Sequence, residues 1–111
     1  MITFVINGIM WEVRKVPPTF PILLTSSGNF TLGCCDNNLK IIFIADGLNY
    51  KKFLKVLCHE ITHAAMFSYK VKLTLEQEEL IADIIATYGN EIIEVTNKVF
   101  YKIKNKDRLS F

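Results

Sequence analysis

Short apolar runs separated by turn residues fill the first half of the chain. Residues 2–6 and 10–16 are β-prone, and Asn7-Gly8 between them suits the positive φ angles of a tight hairpin turn. Residues 30–35 and 40–44 form a second predicted strand pair around an Asp-Asn-Asn turn. The run 40–44 is the most strand-like of the four because it is β-branched and apolar on both faces.

Helical spacing of apolar residues replaces this pattern after Gly47. Asn49 is a suitable N-cap for a predicted helix over residues 50–69. Thr74 and Gln77 fit a capping box that opens a second helix, whose apolar positions recur as far as Val99. Gly89-Asn90 either ends this helix or lies inside it. The pattern predicts an α+β fold with a small antiparallel or mixed sheet packed on two helices.

Composition narrows the class of protein. The chain has 111 residues, 50% of them hydrophobic, so we expect one domain spanning residues 1–111. The net charge of +2 and the lack of a basic stripe argue against nucleic acid as a partner. No apolar run reaches the length of a membrane span, and the first six residues do not resemble a signal peptide. Three cysteines, an odd number, do not form a disulfide framework, so we expect a cytoplasmic protein. Basic residues cluster near the C-terminus, where a solvated helix end explains them: Lys98, Lys102, Lys104, Lys106 and Arg108.

The first predicted helix carries the sequence His59-Glu60-Ile61-Thr62-His63. Its two histidines, the only ones in the chain, are four residues apart and therefore project from one helix face. Glu60 follows the first histidine and is suited to act as a general base beside a bound metal ion. This HExxH pattern predicts one zinc ion bound by His59 and His63.

A catalytic zinc ion usually has three protein ligands, so the third must here be a carboxylate or a cysteine. Glu79 is favoured because Asp83 follows it at i+4, on the same helix face. Glu79 would bind the metal while Asp83 accepts a hydrogen bond from the free ring nitrogen of a histidine ligand. Glu78 is the rival, but it lacks such an acid. For Glu76 and Glu78 we expect only a favourable interaction with the helix dipole.

Together, His59-Glu60-x-x-His63 and Glu79-x-x-Ala82-Asp83 resemble the gluzincin pattern of thermolysin-like metallopeptidases. The short chain is most similar to minimal zincin-like domains of the ImmA/IrrE type, found in phages and mobile elements. The resemblance covers about residues 30–90. It implies that His59, His63 and Glu79 bind Zn²⁺, that Glu60 is the catalytic base and that Asp83 orients a histidine. It also implies that residues 40–44 form an edge strand above the zinc cleft, to which an extended peptide adds.

We therefore expect a zinc metallopeptidase that hydrolyses a peptide bond with a zinc-activated water and Glu60 as general base. The alternative is a zinc-stabilised protein-binding module of phage or mobile-element origin that lacks effective turnover. Retention of Glu60 favours the enzyme, since a structural zinc site needs no base. A subunit that needs a partner to complete its cleft is a third reading, and in each case the partner is a protein or peptide.

Overall fold

The computed structural model describes residues 1–107, and Arg108 of the basic cluster lies outside them. The chain begins with an antiparallel hairpin of strands β1 (Ile2–Ile6) and β2 (Ile9–Val16). Asn7 and Gly8 make the turn with φ angles of 49° and 74°. The hairpin prediction is confirmed, because these two residues tolerate the left-handed region that the turn requires.

Strands β3 (Gly33–Asp36) and β4 (Ile41–Ala45) complete one mixed sheet with the strand order β1-β2-β4-β3. Strand β4 is parallel to β2 and antiparallel to β3, so it lies inside the sheet. The expectation that residues 40–44 form an edge strand is therefore wrong. Every residue of β4 is buried, which is why the run is apolar on both faces.

Strands β1 and β3 lie at the two edges of the sheet, and β3 is shorter than predicted. It begins at Gly33, whereas Phe30 only forms an isolated bridge with Leu24. Leu24 follows a 3₁₀ turn (Pro21–Leu23) that packs on one face of the sheet. The main-chain N–H of Ala45 donates to Leu32 O at 2.9 Å. Given the antiparallel register, the main-chain groups of Gly33 and Cys35 point away from β4, toward the free edge.

Helix α1 (Tyr50–Ser68) covers the other face of the sheet. Asn49 caps it as predicted, with its side-chain oxygen accepting a hydrogen bond from Lys52 N at 2.9 Å. The core between helix and sheet is built on buried residues from both layers: Trp11, Ile42, Ile44 and Ala64. Trp11 Nε1 donates to Ser68 Oγ at 2.8 Å, which satisfies the buried indole and ties the end of α1 to β2.

The remaining chain is one continuous helical rod in three parts. Helix α2 (Leu75–Ile84) opens with the predicted capping box between Thr74 and Gln77. A π-helical segment (Ile85–Gly89) follows, and helix α3 (Asn90–Asp107) continues from it. Gly89-Asn90 thus lies inside the helical rod. The α+β prediction is confirmed, and no helix among residues 1–107 combines the length and apolar character needed to cross a membrane.

Candidate metal centre

The two histidines and Glu60 lie on the face of α1 that meets β3 and α2. His63 and Glu60 are buried, and the His59 side chain is 18% exposed. Side chains four residues apart lie on the same face of an α-helix, so His59 and His63 project side by side. Their Nε2 atoms are 3.1 Å apart.

Glu79 on α2 completes a group of three possible ligands. Its Oε1 lies 2.9 Å from His63 Nε2, and its Oε2 lies 3.2 Å from His59 Nε2. The capping box at Thr74 starts α2 so that this glutamate reaches α1 within its second turn. All three ligand atoms lie within 4.8 Å of one another, and this group is able to hold a metal ion.

The other ring nitrogen of each histidine contacts a separate carboxylate. Asp83 Oδ1 is 2.9 Å from His59 Nδ1, and Glu78 Oε1 is 2.7 Å from His63 Nδ1. A carboxylate in this position accepts a hydrogen bond from Nδ1–H and so fixes the tautomer. Both Nε2 atoms are then left with lone pairs directed at the third group, Glu79.

This arrangement favours a cation. Two imidazole lone pairs and a carboxylate converge within 2.9–3.2 Å, with no proton left to share among them in that tautomer. Such a cluster of acceptors is costly unless a positive charge neutralises it. Ligand atoms about 2.0–2.2 Å from one tetrahedrally coordinated metal ion lie roughly 3.3–3.6 Å apart. The observed distances of 2.9–3.2 Å are slightly shorter, so the three side chains are close enough together to bind a single ion.

The side chain of Glu60, on α1, packs against the edge strand β3. A Cβ atom placed on Gly33 would lie 3.0 Å from Glu60 Oε2 and 2.7 Å from Val56 Cγ1, so only glycine permits this approach. Burial raises the pKa of Glu60 to about 7; the electrostatic interaction with His59 opposes this shift and the negative charge of Glu79 adds to it. The carboxyl group therefore sits in a desolvated position beside the three candidate ligands.

Two cavities flank His59 and Glu60. The larger, of ≈ 410 Å³, carries apolar side chains that include Leu24, Phe67 and Leu75. The smaller, of ≈ 300 Å³, contains the ammonium-bearing side chains Lys52 and Lys55 on α1. The larger cavity is thus partly apolar, whereas the smaller one carries both basic side chains and the acids Glu60 and Asp83.

The cysteines lie near the centre but outside the ligand group. Cys34 and Cys35 line the larger cavity. Burial raises the pKa of both thiols, most strongly that of Cys35, and the charge of Glu60 adds to the shift. In the metal-free protein both thiols are therefore protonated at neutral pH. Cys58 Sγ points instead toward Ile85 O, at 4.0 Å.

Most of the residues predicted for this site lie together in the structure, but one prediction about them is wrong. His59, His63, Glu79 and Asp83 come together with Asp83 against a histidine, as expected. The expectation that Glu78 serves only the helix dipole is wrong, because it contacts His63 directly. No local signal assigns Glu78 to His63, because this contact depends on how α2 is oriented toward α1.

Comparisons with protein families, with curated proteins and with solved structures find no match to this chain. The site's own geometry is therefore what supports a function.

Proposed function

We propose that this protein is a zinc-dependent peptide hydrolase with a minimal zincin-like site. The observation that carries the proposal is the convergence of His59, His63 and Glu79 beside the buried Glu60. This is the constellation that the HExxH resemblance implies, with a base next to three ligands. A purely structural site has no use for that base.

Zinc fits the donor set better than a harder cation does. Two imidazole nitrogens and one carboxylate suit zinc, whereas magnesium and calcium prefer oxygen ligands alone. His59, His63 and Glu79 would hold the ion. When bound, zinc supplies a Lewis acid that polarises a scissile carbonyl and makes water more acidic.

The chain's own groups perform the proton transfers. In this proposal Glu60 removes the proton of the attacking water and then delivers it to the nitrogen of the leaving amine. Gly33 allows Glu60 to lie against the edge strand, and the packing restricts the carboxyl group to few positions. Asp83 and Glu78 keep the two imidazoles in the tautomer that leaves Nε2 free for the metal.

The substrate proposed is an extended peptide segment of a protein. Strand β3 directs the main-chain groups of Gly33 and Cys35 toward the edge of the cleft, where Gly33 O accepts a long hydrogen bond of 3.3 Å from Thr31 Oγ1. An extended peptide pairs with such an edge. The residue that enters the larger cavity would be apolar.

The test combines zinc analysis with hydrolysis of a library of quenched fluorescent peptides. Glu60→Gln should retain zinc and lose hydrolysis, whereas Glu79→Ala should lose zinc. Glu76→Gln is the matched control, because it removes the same kind of charge from an exposed position on α2. Equal cleavage by the Glu60→Gln variant would refute the mechanism.

Two further outcomes separate the parts of the proposal. Unchanged zinc content in Glu79→Ala would remove Glu79 from the ligand set. A parent protein that holds one zinc ion but cleaves no peptide in the library would support the second candidate, a zinc-stabilised binding module.

A further inference from the structure

Helix α3 presents an apolar stripe to solvent. Ile92, Val95, Val99 and Ile103 follow one another at intervals of three or four residues and share one helix face. Each of these four residues is between 41% and 55% exposed. The opposite face carries polar residues, among them Glu94, Asn97 and Lys98. An amphipathic helix of this kind gains stability only when its apolar face is covered.

The fold itself does not cover this stripe. Within residues 1–107, the only element against which α3 packs extensively is the π segment that precedes it. The protein is correspondingly elongated, with extents of 56 × 31 × 30 Å. The stripe therefore projects beyond the body formed by the sheet and α1.

The charges beside the stripe are ordered along the helix. Glu91 and Glu94 lie in the first two turns of α3, Lys98 lies at its middle, and Lys102, Lys104 and Lys106 lie in its second half. A parallel pair of such helices would set acid beside acid and lysine beside lysine. An antiparallel pair would set the acidic half of each helix beside the basic half of the other, which is favourable.

We propose that α3 is a self-association surface, through which two copies of this chain pair their α3 helices antiparallel about a two-fold axis. With Ile92 opposite Ile103 of the partner subunit, the axis passes near residue 97 and the apolar stripes face each other. Glu91 then lies within about 3 Å, along the helix axis, of the level of Lys102 of the partner subunit. The interface is isologous and closed, as expected for a two-fold dimer.

A membrane surface is the rival occupant for an amphipathic helix with lysines. Helices that lie on anionic lipid carry basic residues along the whole polar face. In α3 the first half of the polar face carries Glu91 and Glu94 instead, and Glu94 Oε1 forms an ion pair with Lys98 Nζ at 3.2 Å. The acids oppose adsorption to anionic lipid but have partners in the antiparallel pair.

Sedimentation equilibrium of the full chain tests this proposal. The parent protein should form dimers in the range up to about 100 μM, as expected for a small interface. Val99→Glu places a charge in the apolar seam and should raise the dissociation constant about tenfold or more. Asn97→Glu, which adds the same charge to the polar face, is the matched control and should change it little.

Charge reversal tests the antiparallel geometry separately. Glu91→Lys and Lys102→Glu should each raise the dissociation constant about fivefold, because the two-fold axis then places like charges together at two sites in the dimer. The double variant should recover the parent value. Failure of the double variant to recover would refute the antiparallel pairing.

The remaining outcomes also decide the proposal. A parent protein that stays monomeric over that range overturns it, as does a dimer that Val99→Glu leaves unchanged. Monomeric protein that sediments with phosphatidylserine vesicles, and loses this with Val99→Glu, would assign the stripe to a membrane surface instead. None of these measurements depends on zinc or on peptide cleavage, so they do not share the outcome of the proposed function.

Discussion

Removing the negative charge of Glu78 should weaken metal binding. Glu78 Oε1 lies 2.7 Å from His63 Nδ1, and the two side chains are only 14% and 8% exposed. A hydrogen bond to a charged group contributes about 1.5–3 kcal/mol, against about 0.5–1.5 kcal/mol for a neutral one. Glu78→Gln keeps an acceptor but loses the charge, so we expect a loss of about 1.4 kcal/mol, or tenfold in metal affinity.

Asp83 offers an internal comparison, because its contact with His59 is almost as short, 2.9 Å, but its side chain is 67% exposed. Solvent screens an exposed charge, so Asp83→Asn should reduce affinity only about threefold or less. Competition with a chelator of known zinc affinity, at one fixed pH, measures both constants. Glu76→Gln is the control for loss of charge on α2. A larger effect of Asp83→Asn than of Glu78→Gln would refute the reasoning from burial.

The other predictions concern the glycine at the edge strand, the acid beside it and the buried indole. Gly33→Ala should lower hydrolysis more than zinc content and destabilise the protein by about 1–3 kcal/mol, because its Cβ would overlap Val56 and press on Glu60; normal activity and an unchanged melting temperature would contradict this. Because the folded-state pKa of Glu60 is raised from 4.5 to about 7, its contribution to the stability of the metal-free protein is present below pH 4.5 and is lost as pH rises through 7. Urea unfolding in EDTA should then show Glu60→Gln gaining up to about 3 kcal/mol over the parent between pH 5 and pH 8, and a constant difference would exclude this assignment. Trp11→Phe should lower the free energy of unfolding by about 1–3 kcal/mol, because Ser68 Oγ loses its buried donor. Calorimetry measures this loss, and a smaller loss would contradict the prediction.

Local signals predicted much of this fold because they act within a few residues. Asn7-Gly8 requires no tertiary information to favour its turn, and Asn49 and Thr74 cap their helices through contacts three residues away. The pairing of His59 with His63 follows from helix geometry alone. These features can therefore be predicted from the sequence without knowledge of how the helices and strands pack.

The errors arose where packing between elements decides the outcome. Residues 41–45 are apolar on both faces because α1 covers one face of the sheet and the 3₁₀ turn packs on the other. Their position between β2 and β3 likewise depends on pairing with strands that are distant in the sequence. The contact of Glu78 with His63 depends on how α2 is rotated toward α1, which neither helix specifies alone. The i+4 spacing between Glu79 and Asp83 pointed to Glu79 as a ligand, but it did not show which carboxylate contacts Nδ1 of His63.

The π segment has a consequence for how the chain tolerates changes in length. A single π turn arises when one extra residue is accommodated inside an α-helix. Deleting one residue among positions 85–89 would remove that extra residue and restore regular α-helix, so α3 would keep nearly the same orientation and Glu79 and Asp83 would stay in place. A one-residue deletion in the regular part of α3 would instead turn everything beyond it by about 100° around the helix axis. The π segment is therefore the place where this helix can lose a residue while the metal ligands and the apolar stripe both keep their directions.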